Sequence, residues 1–163
     1  MNLPPKRSTL LFGFIALMFM ALLACDAMTN LLETVVSREI DVFADQGWQQ
    51  TTLDVVRGQR VTIQVVSGRW FEDPPGVWHD GDGGPNAWRC GNPTCHEPLP
   101  DFPKYALIGK IGEGGEILPI GARLDFAPEQ SGRLYLRPNY GDVDIPIFHP
   151  AAFLRVKITV FRD

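Results

Sequence analysis

The chain has 163 residues, a formal net charge of −4, and hydrophobic side chains at 45% of its positions. This length is enough for one domain with its own hydrophobic core. The acidic balance argues against nucleic acid and against anionic membrane surfaces as partners of the folded part, because both attract basic patches. Composition alone leaves the function open.

The N-terminus has the features of an export signal. Lys6 and Arg7 precede an apolar run from Leu10 to Ala24, whose fifteen residues are short for a membrane span of roughly 17–25 residues. The run ends in LLAC, which resembles a bacterial lipobox. Residues 1–25 are therefore expected to be a signal peptide with its lipobox, in which cleavage before Cys25 leaves this cysteine as the lipidated first residue of the mature protein. The alternative is a retained N-terminal hydrophobic helix that anchors the chain.

Both alternatives attach the chain to a membrane and place its folded part outside the cytoplasm, facing the periplasm. Asp26 after Cys25 resembles the signal that retains lipoproteins at the inner membrane. Removing residues 1–24 takes away Lys6 and Arg7 from 15 basic residues and none of the 19 acids, which leaves 13 basic residues and a net charge of −6. Residues 26–39 are interpreted as a tether and residues 40–163 as the domain.

The domain reads as β structure throughout. In the segment TTLDVVRGQRVTIQVVSGRW, two strands flank a turn at Arg57-Gly58-Gln59, and Val61, Ile63 and Val65 alternate with polar residues. That period of two is typical of a half-buried strand. Further strands are predicted at 105–111, 132–138 and 153–161. Short strands separated by Gly/Pro turns predict an all-β fold, a small antiparallel β-sandwich or jelly roll.

Residues 71–103 interrupt this pattern with seven prolines, five glycines and no strand period. A loop of that length is functional or disordered, and its tryptophans and cysteines favour order. Cys90 and Cys95 are predicted to form a structural disulfide, because the domain is exported and the spacing is not that of a thiol oxidoreductase. A zinc site that adds His79 and His96 is the weaker alternative.

Asp80 and Asp82 in the segment DGDGG are candidates for a hard cation. The segment is not an EF-hand, because glycine stands where the acid near position twelve belongs. The alternative is a solvated Asp-Gly turn. No motif for nucleophilic, metal-dependent or phosphate chemistry is present, and the domain is predicted not to be an enzyme.

In order, residues 40–163 resemble the LecA-like family of bacterial galactose-binding lectins. The matching pieces are VFADQGWQQTTLDVVRGQRVTIQVVSGRW, the two cysteines, ALIGKIG, IGARLDF, SGRLYLRPN and LRVKITV. The resemblance implies a small β-sandwich, and a loop pair holding a Ca²⁺ ion that coordinates the sugar. The positions that would supply oxygens here are Asp73, Asn139, Asp142 and Asp144.

The chain departs from that pattern at the calcium loops. Tyr140 stands where the resemblance implies an aspartate, and IFHPAAF (147–153) replaces an acid- or Asn-rich pair. Calcium requires six to eight oxygens, and most of this segment offers none from its side chains. The calcium site is therefore interpreted as degenerate.

An apolar patch is predicted in its place. Ile145, Ile147 and Phe148 lie among prolines beside His149, and Trp78 and Trp88 come from the long loop. Such a patch suits stacking on sugars or docking on a protein, unless the side chains fold inward and cap the core. The candidate binding residues are Trp78, His79, Asp80, Asp82, Trp88, Phe148 and His149.

Two functions follow from these observations. The first is a membrane-tethered, non-catalytic interaction or assembly module, with a membrane-protein complex as partner and a degenerate calcium and sugar site. The alternative is a calcium-dependent carbohydrate-binding lipoprotein.

Overall fold

The computed structural model describes residues 34–72, 76–84, 89–90, 94–141, 149 and 152–162. Its nine strands are β1 Thr34–Phe43, β2 Gln49–Val55, β3 Arg60–Glu72, β4 Val77–His79, β5 Leu107–Ile111, β6 Ile117–Pro119, β7 Arg123–Phe126, β8 Gly132–Pro138 and β9 Phe153–Arg162. The predicted all-β class is confirmed. Within the described ranges, no helix is long and apolar enough to cross a membrane.

The strands form two sheets. The larger has the order β1-β9-β3-β4, with β7 paired to β3 as well, and the smaller has the order β2-β8-β5-β6. Strand β3 is long enough to hold two partners in succession on one edge. Its first half pairs with β7 through Val61 to Gln64, and its last three residues pair with β4.

One hydrophobic core lies between the sheets. Alternate residues of β3 and β9 point into it, and Trp70 donates a hydrogen bond from Nε1 to the Val42 carbonyl at 3.1 Å. The core side chains that are least exposed include Val42, Val55, Val61, Ile63, Trp70, Leu107, Leu134, Leu136, Leu154, Val156 and Ile158. The inward positions therefore come from both sheets, as a β-sandwich requires.

The structure differs from the sequence-based expectation in two places. Strand β1 begins at Thr34, so residues 34–39 of the predicted tether belong to a strand, where Val36 and Ile40 pack against the core. Strand β4 lies inside the segment 71–103 that showed no strand pattern. In β1, the charged residues Arg38 and Glu39 interrupt the hydrophobic alternation, so the start of the strand was not predicted. Strand β4 has only three residues, which are too few to show a period of two.

Candidate functional site

A β-bulge in β3 decides which side chains reach the outer face of the larger sheet. Val65 pairs with Val156, but Ser67 pairs with Arg155, so β3 carries one extra residue at Val66. Because side chains alternate with a period of two, the extra residue reverses which positions face inward. Before the bulge Val61 and Ile63 are buried, and after it Trp70 is buried.

The reversed alternation brings four side chains together on the outer face. Arg69 and Phe71 are two residues apart on β3 and share that face. Arg69 pairs across the sheet with Phe153, and Phe71 pairs with Trp78. Cross-strand partners lie close enough for their side chains to touch.

These residues line an open cavity of about 450 Å³, together with Gly68, Ala152 and His149. Trp78 is 53% exposed, and its ring packs against that of Phe71 with centroids 4.6 Å apart and planes inclined by 42°. Phe153 forms the opposite wall and contacts Phe43 at 6.0 Å between centroids. The cavity is large enough for one or two rings of a small ligand.

Gly68 allows the strands beneath the cavity to approach each other. Its φ is +87°, and a β-carbon at this position would lie 2.2 Å from the Phe153 carbonyl oxygen. A residue without a β-carbon is required by both the dihedral and the space. The glycine of the GRW segment is therefore part of the architecture of the cavity.

His79 anchors the strand that carries Trp78. Adjacent strand residues face opposite sides, so Trp78 is exposed while His79 is only 6% exposed. Its Nδ1 lies 3.1 Å from the Gly83 carbonyl oxygen, and its Nε2 lies 3.2 Å from the Glu72 carboxylate. Both ring nitrogens therefore have a polar partner, and these two contacts fix the orientation of the ring.

Tyr105 completes this buried chain of hydrogen bonds. Its hydroxyl donates to Glu72 at 2.7 Å, and its ring packs on His79 with centroids 4.3 Å apart. Burial, and then the hydrogen bond to Glu72, raise the pKa of the Tyr105 hydroxyl well above its usual value. The three side chains point away from the cavity opening and hold β4 to the body of the sandwich.

Asp80 and Asp82 stabilise a turn. The Asp80 carboxylate accepts from the Asp82 amide at 2.9 Å, and Asp82 accepts from the Ala122 amide at 2.7 Å. The Gly83 amide donates to the Asp80 carbonyl at 3.1 Å. Such side-chain to backbone bonds are typical of Asp in turns, so both carboxylates already have structural partners.

Asn139 does not fit the role of a calcium ligand. Its side chain is completely buried. The Oδ1 atom accepts from the Leu99 amide at 3.0 Å, and the Nδ2 atom donates to carbonyl oxygens of Leu99, Phe102 and Pro103 at 2.9–3.2 Å. The other three oxygen donors, Asp73, Asp142 and Asp144, lie outside the described residues.

The predicted disulfide between Cys90 and Cys95 is confirmed. Within the described ranges, one group of three potential metal ligands has atoms within 4.8 Å of one another, and it consists of these two cysteines and Glu97. The sulfurs are bonded to each other, so they offer no thiolate to a metal. Cys25, Trp88 and Phe148 lie outside the described residues.

Of the predicted binding residues, Trp78 and His149 meet at the cavity, whereas His79, Asp80 and Asp82 take part in the anchor and the turn. Sequence reasoning missed Arg69, Phe71 and Phe153. One signal for them exists: Trp70 and Phe71 are consecutive in a strand, so one of the two rings must face outward.

No protein-family model and no curated protein match the sequence. Among solved structures, the chain is similar to the EclA N-terminal domain, a PllA-like lectin, with 16% identity over 79% of this chain and 98% of that one, at a TM-score of 0.47. A score below 0.5 does not establish a fold, so the β-sandwich assignment rests on the two sheets of this chain.

Proposed function

We propose that the chain is a non-catalytic carbohydrate-binding module, tethered outside the cytoplasm, that holds a sugar ring on the aromatic cavity. The observation that carries the proposal is Trp78, a tryptophan with 53% of its surface exposed in a cavity walled by Phe71 and Phe153. An indole ring that leaves one of its faces open to solvent provides a large apolar contact area for the C–H face of a sugar.

The exposed position of Trp78 is built into the fold. The cross-strand pair with Phe71 and the buried His79 anchor fix the ring before any ligand arrives. A pre-ordered ring loses little conformational entropy on binding, which favours affinity for a small ligand. Trp78 does not fold inward to cap the core, the alternative considered for the apolar patch.

Sugar binding at this cavity does not depend on calcium in our proposal. Two features support this: Asn139 uses its side chain to hold the turn at 99–103, and the segment that replaces the family's acid- or Asn-rich pair is apolar. The binding contacts come instead from aromatic carbon and from Arg69.

The test is binding of the protein to a glycan array, with and without EDTA, for the native sequence and for Trp78→Ala. We expect binding that EDTA leaves unchanged and that Trp78→Ala reduces at least tenfold. Trp78→Phe should retain part of the affinity, because phenylalanine keeps a smaller apolar ring.

Phe161→Ala is the matched control. Phe161 is an aromatic residue of the same strand as Phe153, near the other end of β9, where the Arg60 guanidinium lies 3.9 Å from its centroid. Loss of a ring there should leave sugar binding unchanged. Binding that disappears with EDTA, or no glycan bound under either condition, would refute the proposal.

A second candidate function is docking on a membrane-protein partner. The segment 145–149 supports it, because Ile145, Ile147 and Phe148 are apolar and lead directly into His149 at the cavity. Crosslinking in intact membranes, followed by mild detergent extraction, tests it. A specific crosslinked complex that Trp78→Ala abolishes would favour docking, and a domain that migrates alone would exclude it.

We further propose that Cys25 tethers the mature chain to the outer leaflet of the inner membrane. The lipobox-like LLAC segment and Asp26 support this. The intact mass of protein purified from its native membrane distinguishes the alternatives: loss of residues 1–24 plus a diacylglyceryl group is expected, and an uncleaved unmodified N-terminus would contradict it.

A further inference from the structure

Arg69 brings a positive charge to the aromatic cavity, and no acid among the described residues is paired with it. Its side chain is exposed and lines the cavity beside Trp78 and Phe153. Among the described residues it forms no hydrogen bond and no ion pair. A guanidinium presents five donors in a planar fork that matches a carboxylate.

The neighbouring arginines of the same sheet differ in this respect. Arg155 is paired with Asp41 at 2.8 Å, and Arg123 is paired with Asp125 at 2.7 Å. Arg60 stacks on Phe161. The domain is acidic overall, yet no described acid is paired with Arg69, which lies at a cavity that also contains the exposed Trp78.

We infer that the ligand of the cavity is an acidic sugar, a pyranose ring bearing a carboxylate. This inference rests on the proposed sugar-binding function and adds the class of ligand. The C–H face of the ring stacks on Trp78 while the carboxylate accepts hydrogen bonds from the Arg69 guanidinium. The same sugar ring is thus held by aromatic contact on its face and by charge-assisted hydrogen bonds at its carboxylate.

The test compares two probes that differ only at the carboxyl group, an oligogalacturonate and its uncharged, fully methyl-esterified form, by isothermal titration calorimetry in EDTA. We expect the native protein to bind the acid about tenfold more tightly than the ester, the effect of one charge-assisted hydrogen-bond pair. Raising the salt concentration should weaken binding of the acid and leave the ester unchanged.

Two variants separate this inference from the proposed function. Arg69→Gln should bind both probes with the affinity that the native protein has for the ester, whereas Trp78→Ala should lose both. Arg57→Gln, at the turn preceding the opposite end of β3, is the control and should preserve the preference. An Arg69→Gln variant that still prefers the acid would overturn the acidic-sugar inference alone; a Trp78→Ala variant that binds both probes normally would overturn sugar binding at the cavity.

Discussion

At the scale of single residues, a short polar side chain can be a ligand or a structural bridge, and Asn139 shows how burial separates the two. It follows the β8 strand at the position where the lectin resemblance implies a calcium ligand. In this fold its amide instead joins two backbone segments that are distant in sequence. A buried side chain whose polar atoms are all hydrogen-bonded to the backbone has a structural role and is not available to a ligand.

We predict that Asn139→Ala lowers the free energy of unfolding by about 2–4 kcal/mol, because it removes the acceptor of the Leu99 amide and the side-chain donor to the carbonyls of Leu99, Phe102 and Pro103. Urea denaturation measures this. Asn139→Asp is the informative companion: a carboxylate is a better calcium ligand than an amide, but here it faces carbonyl oxygens. We expect Asp to destabilise the fold as much as Ala, with or without added calcium. If added calcium restored the stability of Asn139→Asp, position 139 would have to be regarded as a calcium ligand.

Tyr105 makes the stability of the fold decrease at alkaline pH. The pKa of its hydroxyl is raised in the folded state above the value of 10.0 in the unfolded chain, first by burial and then by Glu72. The folded state therefore keeps a proton that the unfolded state releases, so this contribution is complete below pH 10 and is lost as the pH rises further.

We therefore predict that the destabilisation caused by Tyr105→Phe depends on pH. At pH 7 the variant should be less stable by about 1 kcal/mol, because the hydrogen bond to Glu72 is lost. Above pH 10 the difference should shrink, since only the native protein loses stability through this hydroxyl. Denaturation midpoints between pH 7 and 11 measure it, and a constant difference would contradict the assignment.

At the scale of elements, the bulge and Gly68 set the shape of the cavity. Gly68 and Gly58 provide a matched comparison, because both have positive φ, +87° and +83°, but only Gly68 has a neighbour within contact distance of a β-carbon. Gly58→Ala should cost about 1 kcal/mol, the penalty of the dihedral. Gly68→Ala should cost at least about 2 kcal/mol more, because it also displaces the Phe153 carbonyl.

Thermal unfolding of the two glycine variants checks this prediction. Gly68→Ala should also weaken sugar binding, since Phe153 is a wall of the cavity, whereas Gly58→Ala should not. Equal destabilisation by both substitutions would contradict the prediction, because it would mean that β3 and β9 can separate around position 68 with no additional loss of free energy.

Strand elements with clean alternation could be predicted from sequence, and the features that disturb the alternation could not. Gly132–Pro138 was predicted with its observed bounds, and β9 within one residue, because inward residues such as Leu154 and Val156 repeat without interruption. The local signal for the bulge at Val66 is Gly68, since a glycine inside a strand marks a bulge or a close approach of two backbones, but it does not say where the extra residue lies. The bulge decides that Trp70 is buried in the core and that Phe71 lines the cavity, so the hydrophobic pattern alone could not predict the cavity.

The same limit applied to polar residues. The sequence places Asp80, Asp82 and His79 in one short segment, which made them equal candidates for ligand binding. Which atoms meet depends on partners such as Glu72 and Ala122, which come from other parts of the chain. Local sequence does not record those contacts.

At the scale of the whole molecule, one core shared by two sheets predicts a single cooperative unfolding transition. The Cys90–Cys95 bridge joins residues five apart in sequence, so it constrains little of the unfolded chain. Replacing both cysteines with serine should lower the free energy of unfolding by about 2 kcal/mol while the domain remains folded.

Chemical denaturation with and without reductant measures the contribution of the disulfide. Far-UV and near-UV circular dichroism should report the same midpoint for the native protein. Complete unfolding of the serine variant in buffer would show that the fold depends on the bridge rather than on its core.

The tryptophans on opposite sides of β3 and β4 give the molecule an optical reporter of its own. Trp70 is fully buried in the core and Trp78 is 53% exposed, so we expect iodide to quench Trp78 and not Trp70. A ligand that covers Trp78 should protect it from quenching and shift its emission to the blue without any dye or label. Because the chain also contains Trp48 and Trp88, the contribution of Trp78 is the difference between the native protein and Trp78→Phe, and that difference reports occupancy of the cavity.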